Sequence, residues 1–107
     1  MAQSNDSAGL ENALVVVWRA VLVGGTKEVK VGKAVYPVRR TAKKGLAQVD
    51  FEFDGTSYRG IEQNPKTQSR WAEMARKGAK VMQFLTTERY IAVVVDGKVI
   101  HYTRGKS

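Results

Sequence analysis

Apolar and polar residues alternate along two segments of the chain, and an Asp-Gly pair divides each alternation. This pattern predicts two β-hairpins, because alternate residues of a strand point to opposite faces and Asp-Gly suits a two-residue type I′ turn. The first hairpin is QVDFEFDGTSYRGI, turning at Asp54-Gly55. Its predicted register pairs Phe53 with Thr56, Phe51 with Tyr58 and Val49 with Gly60 on one face, and Asp50 with Arg59 on the other.

The second hairpin is YIAVVVDGKVIHYT, turning at Asp96-Gly97. The same reasoning pairs Val95 with Lys98, Val93 with Ile100 and Ile91 with Tyr102. Two further strands are predicted, over 34–40 and 80–86. Pro37 confines the first of them to an edge or a bulge, since proline cannot donate a ladder hydrogen bond.

One helix is predicted between the hairpins, over NPKTQSRWAEMARKG. Asn64 suits the N-cap, Pro65 the first helical position and Gly78 the C-terminal end. Trp71 and Met74 then fall on one side of the helix, which indicates that this side faces the core.

The amino-terminal pattern leaves two interpretations open. Residues 1–8 are small and polar and predict a flexible tail. From Leu10 to Val23, apolar residues at helical spacing favour a helix, whereas the run of three valines at 15–17 favours a buried strand. Together the elements predict one α+β domain over 9–107, an antiparallel β-sheet built from hairpins and packed with one or two helices.

The charge of the chain points to a polyanionic partner. Eighteen lysines and arginines against ten acidic residues give a net charge of +8, which favours nucleic acid over a neutral ligand. The charge is also segregated: residues 27–44 hold seven cations and one acid, whereas residues 45–63 hold four acids and one arginine. Such segregation is typical of a binding surface.

Catalytic chemistry finds little support in the residue types. Cysteine is absent and His101 is the single histidine, so we expect no metal site, no cofactor and no enzymatic activity. The chain shows no secretory signal pattern, and its longest apolar stretch is interrupted by Arg19 and too short to span a bilayer. A cytoplasmic, nucleoid-associated protein without a membrane partner is expected.

Two ingredients of a single-strand binding site are present, namely cations for phosphates and aromatic rings for bases. The candidate phosphate ligands are Arg39, Arg40, Lys43, Lys44, Arg59, Arg70, Arg76 and Lys77. The candidate base-stacking or apolar wall is formed by Tyr36, Phe51, Phe53, Tyr58 and Trp71. For any single aromatic residue, packing in the core is the competing interpretation.

The stretch YRGIEQNPKTQSRWAEMARKGAKVMQFL, from Tyr58 to Leu85, followed by YIAVVVDGKV, resembles the ThermoDBP-related single-stranded DNA-binding proteins of thermophilic archaea. The resemblance rests on EQNP, SRWAEMARKG and VMQF and covers about two-thirds of the chain. It implies a non-OB fold that binds single strands without sequence preference in a hydrophobic cleft bordered by basic residues. It also implies a homo-oligomer, a tetramer or a dimer. The parent type assembles through a C-terminal zipper-like helix that HYTRGKS does not match, so the segment Leu10–Val23 is either a substitute interface or internal core.

The sequence therefore predicts a sequence-independent single-stranded DNA-binding protein, with RNA as a possible ligand. The alternative is a small basic protein that binds structured RNA or a ribonucleoprotein, in which all the aromatic residues are core.

Overall fold

The structure is a computed structural model that describes residues 2–42, 45–87 and 89–102. It is an α+β fold in which a seven-stranded antiparallel sheet, in the order β1 to β7, is accompanied by two helices. Helix α1 is Ala2–Trp18, continued by a π-helical segment Arg19–Val23, and α2 is Arg70–Arg76. The strands are β1 Glu28–Val31, β2 Ala34–Arg40, β3 Ala47–Phe53, β4 Thr56–Glu62, β5 Val81–Thr86, β6 Arg89–Val95 and β7 Lys98–Tyr102.

The segment Leu10–Val23 is helical, which settles the ambiguity in its pattern. Leu14, Val17 and Val21, which share one side of the helix, are fully or almost fully buried. Packing of this stripe outweighs the mild preference of valine for strands. The stripe is therefore internal core, whereas Val16 and Val23 lie on the exposed side. The backbone of residues 2–8, predicted as a flexible tail, belongs to α1.

The first hairpin has the predicted register, including Asp50 opposite Arg59 and Phe51 opposite Tyr58. Asp54 and Gly55 both have positive φ, as a type I′ turn requires. Pro37 lies where β2 changes partners, since residues 34–37 pair with β1 and residues 38–40 pair with β3. Each half of β2 consequently has a partner strand on one side only. The backbone N–H that Pro37 lacks is therefore not needed for pairing on both sides.

The register predicted for the second hairpin is wrong beyond its turn. Val95 pairs with Lys98 as expected, but Val93 pairs with His101 and Tyr102 pairs with Ala92. An irregularity between Val93 and Val94 shifts the ladder by one residue, and the extra residue, Ile100, is exposed. A bulge of this kind leaves the alternation of the sequence unchanged nearby, so the pattern alone did not reveal it.

The predicted helix begins five residues too early. Its N-cap is Ser69, whose Oγ accepts a hydrogen bond from the backbone N–H of Ala72 at 3.1 Å. Asn64 instead forms a turn, because its Oδ1 accepts from the N–H of Lys66 at 2.9 Å. The C-terminal end is as predicted: Gly78 has a φ of 105°, and the N–H groups of Gly78 and Ala79 donate to the last turn in a Schellman arrangement.

The centre of the core depends on one close approach. Phe84 is fully buried and lies opposite Gly60, with the ring of Phe51 edge-on at a centroid distance of 6.1 Å. A Cβ placed on Gly60 would lie 2.8 Å from Cε1 of Phe84 and 3.0 Å from the sulfur of Met82. Only glycine therefore lets the phenyl ring cross β4 at this position.

Replacing Gly60 by alanine should destabilise the protein by about 1–3 kcal/mol, because the added methyl group overpacks the core. Urea denaturation measures this free energy of unfolding. The control Ser57→Ala, on an exposed position of the same strand, should change it by less than about 0.5 kcal/mol. Adding Phe84→Leu to Gly60→Ala should cost less than the sum of the two single changes, and strict additivity would contradict the clash.

Candidate nucleic-acid interface

The two faces of the sheet differ in what covers them. Helix α1 packs on one face, where it contacts β1, β6 and β7, and its buried residues share one core with those of β3, β5 and β6. On the other face, Val81 and Val93 alternate with core residues along their strands and are buried, as is Ala72 of α2. The short helix α2 therefore covers the β5–β6 part of this second face. We call the remainder of the second face, over β2 to β5, the open face.

The predicted aromatic wall lies mostly on the face covered by α1. The ring of Phe51 stacks on Tyr58 at 5.7 Å and meets Tyr36 edge-on at 6.5 Å. Phe51 is only 3% exposed, and Tyr36, Phe53 and Tyr58 are partly buried against the core. This placement corrects the expectation for Phe51, whose ring is already in contact on its sides with other core rings and offers no surface to a base.

Burial raises the pKa of the Tyr58 phenol above its usual range. The hydrogen bond to Thr56 acts in the opposite direction, while the charges of Tyr102 and Asp54 add to the effect of burial. Tyr58 is therefore a neutral packing residue at physiological pH, tied to its neighbours on the covered face.

A row of side chains crosses the open face from strand to strand. Directly opposed residues of antiparallel strands share a face, and the register places Arg39 beside Gln48, Gln48 beside Ile61, and Ile61 beside Gln83. Arg39 is exposed, and the other three are partly buried. The row spans three inter-strand spacings, roughly 14–15 Å. It presents a cation, an apolar floor and two amide groups to solvent.

A depression of about 530 Å³ lies next to this row. Its lining residues are Asp50, Ser57, Tyr58, Arg59, Leu85 and Thr87. Within it, Nε of Arg59 donates to Oδ1 of Asp50 at 2.7 Å, and this hydrogen bond raises the pKa of Arg59 above its usual value. Tyr90, which is 50% exposed, stands opposite Leu85 in the register.

Thr87 adds backbone strain to the rim of the depression. Its φ is 56°, in the left-handed region that a β-branched residue rarely occupies. Such a conformation costs on the order of 1–3 kcal/mol and tends to occur at functional sites.

Four of the predicted phosphate ligands are engaged within the protein, and one of them is Arg59 in its ion pair with Asp50. Arg40 donates to the carbonyl of Val21, at 3.3 Å, and so binds the end of the π-helical segment. Arg76 donates to the carbonyls of Pro65 and Thr67 and holds the turn before α2. Lys77 lies 3.7 Å from Glu73 in an exposed ion pair of small energetic value. Lys43 and Lys44 lie outside the described residues.

Trp71 is the predicted aromatic residue that lies away from the α1 face. The guanidinium of Arg70 lies 4.3 Å from the centroid of the Trp71 ring. The ring of His101, on β7, lies 5.9 Å from the Trp71 ring, measured between the two centroids. Trp71 is partly buried, so its ring supports Arg70, and the exposed guanidinium forms the outer layer of the pair.

Sequence reasoning missed five side chains of the open face, namely Gln48, Ile61, Gln83, Leu85 and Tyr90. Gln48 and Ile61 were within reach of the first hairpin's register, which places them opposite each other. The others depend on the pairing of β4 with β5 across a long connection and on the irregularity at Phe84–Leu85. No local sequence signal reports either feature.

Replacing Thr87 by glycine should stabilise the protein by about 1 kcal/mol, because glycine adopts positive φ without strain. Thermal denaturation would show this as a higher melting temperature. Thr67→Gly is the matched control, since Thr67 has no positive φ and loses only chain rigidity. Equal effects of the two changes would contradict strain at Thr87.

The raised pKa of Tyr58 predicts a loss of stability in alkali. The unfolded phenol releases its proton near pH 10, whereas the folded one holds it to higher pH, so the stability present below pH 10 is lost as pH rises through the folded pKa. Urea midpoints at pH 8 and pH 11 should fall less in Tyr58→Phe than in the wild type. An identical fall would show that Tyr58 does not titrate differently on folding.

Within the described residues, no helix is long and apolar enough to cross a membrane, and no group of three or more acidic or histidine side chains is arranged to hold a metal ion. Comparisons of the chain with protein-family models, curated proteins and solved structures give no match.

Proposed function

We propose that this chain binds single-stranded nucleic acid, DNA in preference to RNA, on the open face of its sheet. The observation that carries the proposal is the cross-sheet row from Arg39 to Gln83, left uncovered beside α2. A cation at one end can hold a phosphate, while the partly buried apolar floor and the amides can accept bases of any sequence. Affinity then comes mainly from the backbone of the nucleic acid and depends little on its sequence.

The charge distribution supports this surface. The chain carries a net charge of +8, and Arg39 and Arg70 are exposed. Arg39 makes no ion pair within the described part of the chain. A cation without an acidic neighbour gains more from a phosphate than one already neutralised, so Arg39 is preferred to Arg59 and Lys77 as a phosphate ligand.

Stacking is supplied by fewer rings than the sequence predicts. The Arg70–Trp71 pair and the exposed ring of Tyr90 remain on or next to the open face. Bases stack on guanidinium planes as well as on aromatic rings, so Arg70 supported by Trp71 serves as a platform. Each stacked base contributes roughly 1–3 kcal/mol.

Several finer features belong to this proposal. They are a non-OB mode of binding, kinship with the ThermoDBP-related proteins, assembly into a dimer or tetramer, and association with the nucleoid. The stretch that carries the resemblance, Tyr58–Leu85, includes α2 and most of β4 and β5, which border the open face. Assembly would use the exposed side of α1, with Val16 and Val23, because the opposite side is buried in the core.

A second candidate, binding of structured RNA or a ribonucleoprotein, is favoured by one observation. Phe51, Tyr36 and Tyr58 pack together on the covered face, as expected of a protein that uses its aromatic residues only as core. In that case the cations alone would contact the partner, and folded RNA would compete with single strands.

The proposal is tested by fluorescence anisotropy with labelled oligo-dT, competed by unlabelled duplex DNA and by folded RNA, at several salt concentrations. The single strand should compete best, and the affinity should fall steeply with salt. Arg39→Gln should weaken binding and lower the slope of log K against log salt by about 0.7, the value for one phosphate contact on a single strand.

The matched control is Arg19→Gln, which makes the same charge change at an exposed position of the helical segment that follows α1. It should leave the salt slope within error of the wild type. Equal effects of the two changes would mean that only net charge matters, and better competition by folded RNA would favour the second candidate.

A further inference from the structure

The depression beside the cross-sheet row combines features that phosphate binding does not require. Its wall holds Leu85, with the exposed ring of Tyr90 opposite it in the register. Its volume, about 530 Å³, lies in the usual range of small-ligand sites, roughly 300–1,000 Å³. Apolar and aromatic surface next to a few polar groups suits a flat ring better than a phosphate.

Arg59 is poorly placed to neutralise a phosphate. Its Nε donates to Oδ1 of Asp50 at 2.7 Å, so the pair carries no net charge. A phosphate at this guanidinium would be repelled by the carboxylate at hydrogen-bonding distance. The pair therefore acts as a hydrogen-bonding unit without net charge, in which Asp50 fixes the orientation of the guanidinium.

The carboxylate leaves one end of the guanidinium available. The Asp50 hydrogen bond uses Nε, and the two terminal amino groups make no other hydrogen bond within the described residues. These two groups form a fork with two parallel donors. Two adjacent acceptors are found on the O6 and N7 atoms of guanine, and arginine binds this edge more commonly than any other base edge.

We propose that the depression binds one base of the single strand and that Arg59, oriented by Asp50, gives this position a preference for guanine. This inference rests on the proposed function, and it adds one selective position to an otherwise sequence-independent surface. The base would lie against Leu85 and Tyr90, with its O6 and N7 atoms towards Arg59. Asp50 is a positioning residue, and the strained backbone of Thr87 closes the rim.

The other bases fit this fork less well. Adenine offers N7 but places an amino donor where O6 stands in guanine, and thymine offers only a single acceptor beside its methyl group. Cytosine presents two adjacent acceptors on its Watson–Crick edge, the ring atom N3 and the carbonyl oxygen O2, so it is the competitor that the test must separate from guanine.

The test uses a short labelled oligo-dT in which one central nucleotide is replaced. Guanine should bind at least about five-fold more tightly than thymine or adenine at that position, within the discrimination expected of a bidentate contact. Inosine keeps O6 and N7 and should bind as guanine does. 7-Deazaguanine lacks N7 and should bind like thymine. A preference for cytosine, or equal binding of guanine and 7-deazaguanine, would overturn the proposal.

Two substitutions distinguish the orienting effect of Asp50 on Arg59 from the effect of its charge alone. Asp50→Asn should reduce the guanine preference, measured as the ratio of the affinities for the guanine-containing and thymine-containing strands, to less than about two-fold. Glu52→Gln, on the same strand and the same face, makes the identical charge change outside the depression and should retain the preference. Loss of the preference in both variants would show that the carboxylate acts only through net charge.

Arg59→Gln gives a second readout. It should abolish the guanine preference and leave the salt slope unchanged, in contrast to Arg39→Gln. If Arg59→Gln lowers the salt slope by about 0.7, Arg59 is a phosphate ligand and the inference fails. Failure of the proposed function itself is distinguishable, since plain oligo-dT would then bind no better than duplex DNA.

Discussion

Packing of α1 across one face of the sheet decides which side chains are available to a partner. Three residues of the helical segment, Leu14, Val17 and Val21, pack against that face, and the ring of Phe51 belongs to the same core. The energy that stabilises the domain comes from burying these groups, so they cannot also serve as an exposed platform. On the opposite face, the seven residues of α2 cover the part formed by β5 and β6. The rest of that face is the open face, which the proposed function uses.

The crossing of Phe84 over Gly60 connects this core to the open face. Phe84 occupies the face under α1, and the next residue, Leu85, points to the opposite side and lines the depression. Tight packing on one side of β5 therefore fixes the position of an apolar wall on the other. Strain at Thr87, two residues further on, follows the end of the same strand. Strand β5 therefore contributes both to the core that stabilises the domain and to the wall of the candidate site.

Local chemistry made part of this fold predictable. The Asp54-Gly55 and Asp96-Gly97 turns, the register of the first hairpin and the Gly78 helix end follow from neighbouring residues, and the structure has them. The bulge in β6–β7, the start of α2 at Ser69 and the face taken by each aromatic residue depend on tertiary packing. Aromatic residues at alternate positions of a strand give the same sequence pattern whichever face of the sheet they occupy. The pattern therefore could not show that Phe51 and Tyr58 lie on the face covered by α1.

The most direct test of a binding surface on the open face is amide chemical-shift mapping of the isotope-labelled protein titrated with oligo-dT. The account predicts that the largest shifts cluster at Arg39, Gln48 and Gln83 and at the lining of the depression, with α1 unaffected. Shifts concentrated on the exposed side of α1, at Val16 and Arg19, or spread evenly over all lysines and arginines, would contradict it.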